Sequence, residues 1–198
     1  MSNLFQELQI KAFRAGITPR TKESMDWFRQ KADTLTGINR RAVMNEDPII
    51  RRNKNKAPKI GDMMMYFYDP KWKRELPYYD TFPLIINVGP APNGFYGLNV
   101  HYLPPTLRAK LFDALLDNLN NKKYDETTRI AADYQILQAS RANKYFRPCF
   151  KHYLTNHVKS RFAIVQPPEW EIALFLPMAQ FKKASQEEVW KDSRSMLR

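Results

Sequence analysis

Cysteine and histidine are scarce in this chain, which holds one of the first and three of the second. Cys149, His152 and His157 lie close together and invite a metal site or a nucleophile–base pair. On a helix, Cys149 and His152 would share a face, but His157 would turn away by roughly 140° at ~100° per residue. No fourth ligand lies nearby, and a structural zinc site takes four. No metal and no cofactor are therefore expected. His152 and His157 are expected to add hydrogen bonds, or protonated charge, to a basic face. His101, between Val100 and Tyr102 on an expected strand, reads as a satisfied half-buried imidazole rather than a general base. A single cysteine also excludes an internal disulfide framework. A reducing compartment is the simplest setting for it.

A metal-dependent nuclease needs two or three carboxylates beside a lysine. Asp69, Glu75 and Asp80 share a loop region with Lys71 and Lys73, and Glu169 and Glu171 bracket Trp170. Neither group has diagnostic spacing, and mixed loop charges are usually solvated. The P-loop, the dinucleotide-binding glycine pattern and the serine-hydrolase elbow are all missing. These residues favour a binding protein over an enzyme, and no catalytic residues are assigned. In the aromatic-rich stretch that also holds Tyr66 and Tyr68, Tyr78 and Tyr79 could form an exposed platform that stacks on bases at a frayed end. Rings packed over a small sheet by proline-fixed turns are the preferred reading.

Charge carries more information. The 198 residues hold 32 basic and 20 acidic side chains, a net charge of +12, with an isoelectric point near 9.8. Such a balance points to an anionic partner, nucleic acid before an acidic membrane surface. Net charge is +7 over residues 1–60, −1 over 61–126, +6 over 127–168 and zero over 169–198. The first block peaks at Arg51, Arg52, Lys54, Lys56 and Lys59. The second carries Arg141, Lys144, Arg147, Lys151, Lys159 and Arg161, interleaved with Tyr145, Phe146, Phe150, Tyr153 and Phe162. Cations that neutralise phosphates release counterions, so such a surface binds DNA tightly only at low salt. A solvated basic face, or one that docks on an acidic protein, is the alternative.

The elements that must position these residues are short. Leu4–Ala15 has the spacing of an amphipathic helix that Gly16 stops. A second helix starts at a cap of Thr18 or Thr21 and runs to about Leu35, burying Met25, Phe28 and Ala32. Asn45–Lys59 reads as a basic linker or arm. Met63–Tyr68, Leu84–Val88 and Phe95–Leu103 have strand character, separated by turn signals. A helix follows Pro104-Pro105, with Leu107, Leu111, Ala114, Leu115 and Leu119 inward and Arg108, Lys110, Asp113 and Asp117 toward water. Asp125 caps the next helix, and Pro148–Val158 reads as a further helical stretch. Arg161–Val165 and Glu169–Leu176 are apolar runs able to complete the sheet. Ser185 and Glu188 form a capping box for a C-terminal helix. The expected fold is α+β, a small bent antiparallel sheet, barrel-like in the limit, flanked by several helices. Residues 1–44 form an N-terminal helical region, 45–60 the basic arm and 61–198 the core. No apolar stretch approaches the ~20 residues that cross a bilayer, and the start of the chain lacks a secretory signal, so a soluble protein without a membrane partner is expected.

The run Gly61-Asp62-Met63-Met64-Met65-Tyr66-Phe67-Tyr68-Asp69-Pro70-Lys71, followed by Leu76-Pro77-Tyr78-Tyr79-Asp80-Thr81-Phe82-Pro83-Leu84 and Gly94-Phe95-Tyr96-Gly97-Leu98-Asn99-Val100-His101-Tyr102-Leu103-Pro104, is distinctive. With Arg20-Thr21-Lys22-Glu23-Ser24, Trp27-Phe28 and Phe150-Lys151-His152-Tyr153-Leu154, it resembles the DNA end protector proteins of T4-like tailed phages, including cyanophages. The resemblance covers nearly the whole chain. It implies a minor virion protein on the terminus of the packaged double-stranded DNA, which enters the host cytoplasm with the genome and shields the end from host exonuclease. It carries no catalytic residues. Under it, Arg51, Arg52, Lys54 and Lys56 would grip phosphates from the arm, and Arg141, Lys144, Arg147, Lys151, Lys159 and Arg161 would line a rigid face. Base-specific readout is not expected. The main rival is a head-completion or neck protein that contacts DNA in the portal channel or docks on portal or neck proteins. A second rival is a DNA-metabolism accessory factor that binds single strands or a host enzyme.

Overall fold

A computed structural model of the chain describes residues 4–46, 58–119, 135 and 146–196. Arg51, Arg52, Lys54, Lys56, Arg141 and Lys144 lie outside the described residues, as does the helix expected after Asp125. Among the described residues are six α-helices, a five-stranded antiparallel sheet and a two-stranded one. The fold is α+β, and the sheet is open rather than closed into a barrel.

Helix α1 (Leu4–Arg14) buries Phe5, Leu8 and Ala12. It ends at Gly16, whose φ of 72° lets the Ile17 amide return to the Ala12 carbonyl at 3.0 Å. Such a left-handed position suits glycine. Helix α2 (Lys22–Asp33) takes Thr21, not Thr18, as its cap, because Ser24 completes a reciprocal box with it. It buries Met25, Phe28 and Ala32. Helix α3 (Arg40–Glu46) spans the end of the stretch expected to be helical and runs two residues into the expected arm. It is tied down by Arg40, whose guanidinium donates to the Met178 and Ala179 carbonyls at 2.7 and 2.8 Å.

The strands are β1 (Met63–Met65), β2 (Tyr79–Asp80), β3 (Leu84–Ala91), β4 (Gly94–Asn99), β5 (Phe150–Leu154), β6 (Ala163–Val165) and β7 (Phe181–Lys182). The larger sheet has the order β5-β4-β3-β1-β6, and β2 pairs with β7 apart from it. Side chains alternate across a strand. Met63, Met65, Leu84, Ile86 and Leu98 therefore join one face to the main core, with α1–α3 and the later helices. Met64, Tyr66, Ile85 and Tyr153 point the other way, under Phe95, Val158 and Phe162. Both faces are covered, so β1 and the start of β3 are buried throughout. Each fully buried apolar side chain of this kind contributes roughly 1.5–3 kcal/mol. Tyr66 lies at the centre of the second layer, edge-on to Tyr68, Phe95, Tyr153 and Phe162. Tyr66 and Tyr68 thus pack over the sheet, while Tyr78 and Tyr79 are half-buried, Tyr78 beside the Tyr102 ring and Tyr79 in β2.

Helix α4 (Pro105–Leu119) buries Leu107, Leu111 and Leu115. Two further helices follow, α5 (Trp170–Phe175) and α6 (Gln186–Ser195). The capping box of α6 is formed by Ser185 and Glu188, as the sequence predicts. Four expectations need correction. Residues 148–158 do not form one helical stretch: Phe150–Leu154 is strand β5, paired with β4 in register Leu98 to Phe150 and Phe95 to Tyr153, and only short 3-10 turns at Arg147–Cys149 and Thr155–His157 flank it. The run 169–176 is helix rather than strand, and all six residues of α5 are buried. Strand β4 stops at Asn99, whose side chain accepts the His101 amide and starts a 3-10 turn over Val100–Tyr102. Arg108 does not face water: it is buried and donates to the Leu103 and Leu174 carbonyls at 2.7 and 2.8 Å.

Candidate nucleic-acid interface

Beyond β1 the chain runs Phe67–Asp69 alongside His157–Ser160, and backbone bonds lock the two segments. The Lys159 amide donates to the Phe67 carbonyl at 2.7 Å, and the Asp69 amide to the His157 carbonyl at 3.1 Å. Ser160 Oγ accepts the Phe67 amide at 2.9 Å, and His157 Nδ1 bonds the Asp69 carbonyl at 2.8 Å. Tyr68 and Val158 form a bridge between them. This rim carries Lys159 and Arg161, both exposed. Arg41 of α3 meets them across a cleft of about 500 Å3, lined also by Met44, Asn45, Phe67 and Ser160. Cations from both basic blocks of the sequence thus share one cleft.

The loop between Pro70 and Leu76 continues the same rim, and Lys71, Trp72, Lys73 and Arg74 are all exposed on it. Its shape is fixed. The Trp72 carbonyl accepts the Glu75 and Leu76 amides at 3.0 Å each. Lys183 Nζ donates to the Arg74 and Leu76 carbonyls at 2.9 and 2.8 Å. Lys73 clasps both Asp69 oxygens at 2.8 and 3.0 Å. That bond, with Lys159 and His157 nearby, holds the Asp69 carboxyl below its ordinary value. The Lys71 ammonium stands 4.7 Å from the Trp72 ring centroid. Among the described residues, the acidic groups on this loop are Asp69, which Lys73 engages, and Glu75.

The other expected contacts are dispersed. Lys59 is exposed where the chain leaves the 47–57 tract, with its carbonyl accepting Asn87 Nδ2 at 3.0 Å. Arg147 is exposed but precedes β5, whereas Thr155–His157 follows it, so the strand separates Arg147 from the rim. Lys151 turns inward, with its ammonium 4.1 Å from the Tyr102 ring centroid, and burial lowers its pKa. Among the described residues of the second basic block, Lys159 and Arg161 share the rim, whereas Arg147 and Lys151 lie apart from it. His152 is exposed and bonds the Pro92 carbonyl at 2.9 Å, on the loop joining β3 to β4. Cys149 is buried, and burial pushes its thiol up to about 12. Among the described residues, no group of three or more histidines, cysteines and carboxylates could hold a metal.

Sequence reasoning missed Arg41 and the Lys71–Arg74 loop. The available signal was local: three cations flank one tryptophan, inside a segment whose average charge is slightly negative. Averaging over 66 residues hides it.

Behind the rim lies a polar centre closed to solvent. Asp80, at the end of β2, accepts the Phe82 and Gln180 amides at 3.0 and 3.1 Å on one oxygen. Its other oxygen takes Asn99 Nδ2 at 3.2 Å and His101 Nδ1 at 2.6 Å. Burial alone would raise this carboxyl, but His101 and the hydrogen bonds outweigh it and hold it below its ordinary value. Burial also lowers the His101 imidazole, against the pull of Asp80. The pair is a carboxylate and a neutral ring with its proton on Nδ1. His101 Nε2 is buried without a hydrogen-bond partner, and Asp80 is only 4% exposed. An acid–base pair so placed offers no atom to a substrate. His101 sits deeper than the half-buried position expected for it. The same centre takes Tyr153 Oη, which accepts from Asn99 at 3.1 Å, and Trp190 Nε1, which donates to the His101 carbonyl at 2.9 Å. It anchors the end of β2, and so the end of the basic loop.

Among the described residues no helix is long and apolar enough to cross a membrane. No curated protein and no solved structure matches the chain. A family model described as phage T4 terminal DNA protecting protein matches residues 3–193, which takes in both sheets, the basic rim and the described helices up to the last two residues of α6, and the chain belongs to that family.

Proposed function

We propose that this chain is a non-enzymatic virion protein that seats on the terminus of packaged double-stranded DNA and shields it from host exonuclease. The observation that carries this reading is the rim on which Arg41, Lys159 and Arg161 face one cleft, beside Lys71, Lys73 and Arg74. The family's description supplies the DNA terminus. Phosphate oxygens are the natural ligand for such a cluster, and contacts to them position a protein without reading sequence. Arg51, Arg52, Lys54 and Lys56 would extend the grip from the tract that follows α3. Lys59 and Arg147 would add peripheral contacts, with Arg141 and Lys144 ahead of β5. Shielding would act by obstruction, the protein occupying the end where an exonuclease must load.

The test is a salt titration of duplex binding by wild type and by the triple variant Arg41→Glu, Lys159→Glu, Arg161→Glu. Each phosphate contact contributes about 0.9 to the slope of log K against log salt. The variant should bind more weakly with a slope lower by about 2 to 3. Unchanged affinity and slope would move the interface elsewhere.

A specific feature also favours docking on a portal or neck protein. On α1, Phe13 is 84% exposed at the mouth of a groove formed by Ile17, Pro19, Phe28, Pro168 and Ile172. Exposed apolar patches of this kind mark protein contacts. Such docking would hold the protein at the vertex where the DNA end waits.

A further inference from the structure

We propose that Trp72 is the residue that distinguishes a DNA end from internal duplex, by stacking its indole on the terminal base pair. This rests on the reading that the protein binds DNA ends, and it supplies what that reading lacks. Phosphates look the same at an end and along the helix, so cations alone give no preference for a terminus. What an end alone offers is the flat face of its last base pair. Every internal pair is covered on both sides by its neighbours. A protein that selects ends therefore needs an exposed planar ring held beside its phosphate-binding cations.

Trp72 meets that requirement. It is 55% exposed, on a loop where Lys71, Lys73 and Arg74 surround it. Its loop belongs to the same rim as Lys159, because Asp69 is bonded to the His157 segment on one side and to Lys73 on the other. The ring is also pre-positioned. Its own carbonyl closes the turn through the Glu75 and Leu76 amides, and Lys183 pins the loop from outside. Little loop entropy is then lost on binding. Lys71 covers one face of the indole at 4.7 Å. The stack uses the other face, with Lys71 left behind the indole, where its charge polarises the ring.

Among the described residues, the other large exposed aromatic side chain, Phe13, is set differently. Its groove is mostly apolar, and Arg20, the one cation lining it, is opposed there by the buried Glu171 carboxyl, which accepts from Ser24 and the Arg20 amide. The exposed apolar Ile60 lacks a ring. Charge complementarity and planarity coincide at Trp72.

The experiment compares wild type, Trp72→Ala and Trp72→Phe for binding to a blunt linear duplex and to the same sequence closed into a circle. A second duplex set carries 2-aminopurine in the terminal pair or at the centre. Wild type should prefer the linear form and change the emission of the terminal probe only. Trp72→Ala should lose about tenfold in affinity for the linear form, keep its affinity for the circle and its salt slope, and leave the terminal probe unchanged. Trp72→Phe should recover most of the preference. If Trp72→Ala prefers linear DNA as strongly as wild type does, the assignment of Trp72 is overturned while end binding stands. If wild type itself shows no preference, end binding fails and the assignment falls with it. Equal loss on linear and circular DNA would make Trp72 a general DNA contact and also overturn the proposal.

Discussion

Asp80 is the residue whose loss should reach furthest. Its carboxylate is buried and accepts four hydrogen bonds, from the Phe82 and Gln180 amides, Asn99 Nδ2 and His101 Nδ1. These partners come from the loop before β3, the approach to β7, the end of β4 and the turn after it. Substitution by alanine strands four donors, three of them buried and the Gln180 amide half-buried. Each stranded donor costs about 1–3 kcal/mol in isolation, but the sum overstates the effect because His101 can move its proton and water can enter the gap. Removal of one partner from a buried charged network typically costs about 3–5 kcal/mol, and Asp80→Ala should fall in that range. For a chain of this size this corresponds to a drop in Tm of about 10 °C. Asp80→Asn keeps the shape and can still accept both backbone amides through Oδ1. Its amide then faces Asn99 and His101, and the ring must take the other tautomer to accept from it. That variant should lose about 1–3 kcal/mol. Urea unfolding followed by circular dichroism at pH 7 measures both. An Asp80→Ala protein within about 1 kcal/mol of wild type would refute the claim that this carboxylate organises the fold behind the rim.

The same pair sets a pH dependence. His101 is held below its ordinary pKa, so near pH 5–7 the unfolded chain binds a proton that the folded chain refuses, and stability falls as pH drops through that window. Asp80 is also depressed, so its contribution is present above about pH 4 and is lost as pH falls further. Unfolding free energies measured from pH 8 to 3 should decline in those two stages, and His101→Gln should remove the first; a flat profile between pH 7 and 5 would contradict the assignment. Lys151→Met tests the inward lysine. It removes a cation–π contact of about 0.5–2 kcal/mol but also a desolvated charge, so stability should stay within about 1 kcal/mol. Its DNA affinity and salt slope should match wild type, whereas Lys159→Ala should lower the slope by about 0.9. A slope lowered by Lys151→Met would return that residue to the interface.

What could be read from the sequence follows from the range of the interactions involved. Helices α1, α2 and α6 are legible because helical periodicity and capping act over a few residues: Phe5 with Leu8 and Ala12, Thr21 with Ser24, Ser185 with Glu188. The residues of β5 suit either period, since Phe150 and Tyr153 also fall three apart, and only pairing with β4 decides for a strand. Residues 169–176 illustrate the converse, an apolar run that reads as strand because its helix is buried on every side. Arg108 looks like a solvated helix charge until the carbonyls of Leu103 and Leu174, distant in sequence from each other, close around it. The basic character of the protein was plain from composition, but its focus was not. Arg41 meets Lys159 only through the packing of α3 against the end of the sheet, and the cations around Trp72 vanish in a segment average.

The central claim is that the protein guards a terminus rather than coating DNA. The direct test is exonuclease digestion of linear duplexes that differ tenfold in length but each have two ends, with the protein titrated at fixed salt. The amount of protein needed per DNA molecule for protection should be the same for short and long duplexes. A requirement that grows in proportion to length would contradict the account.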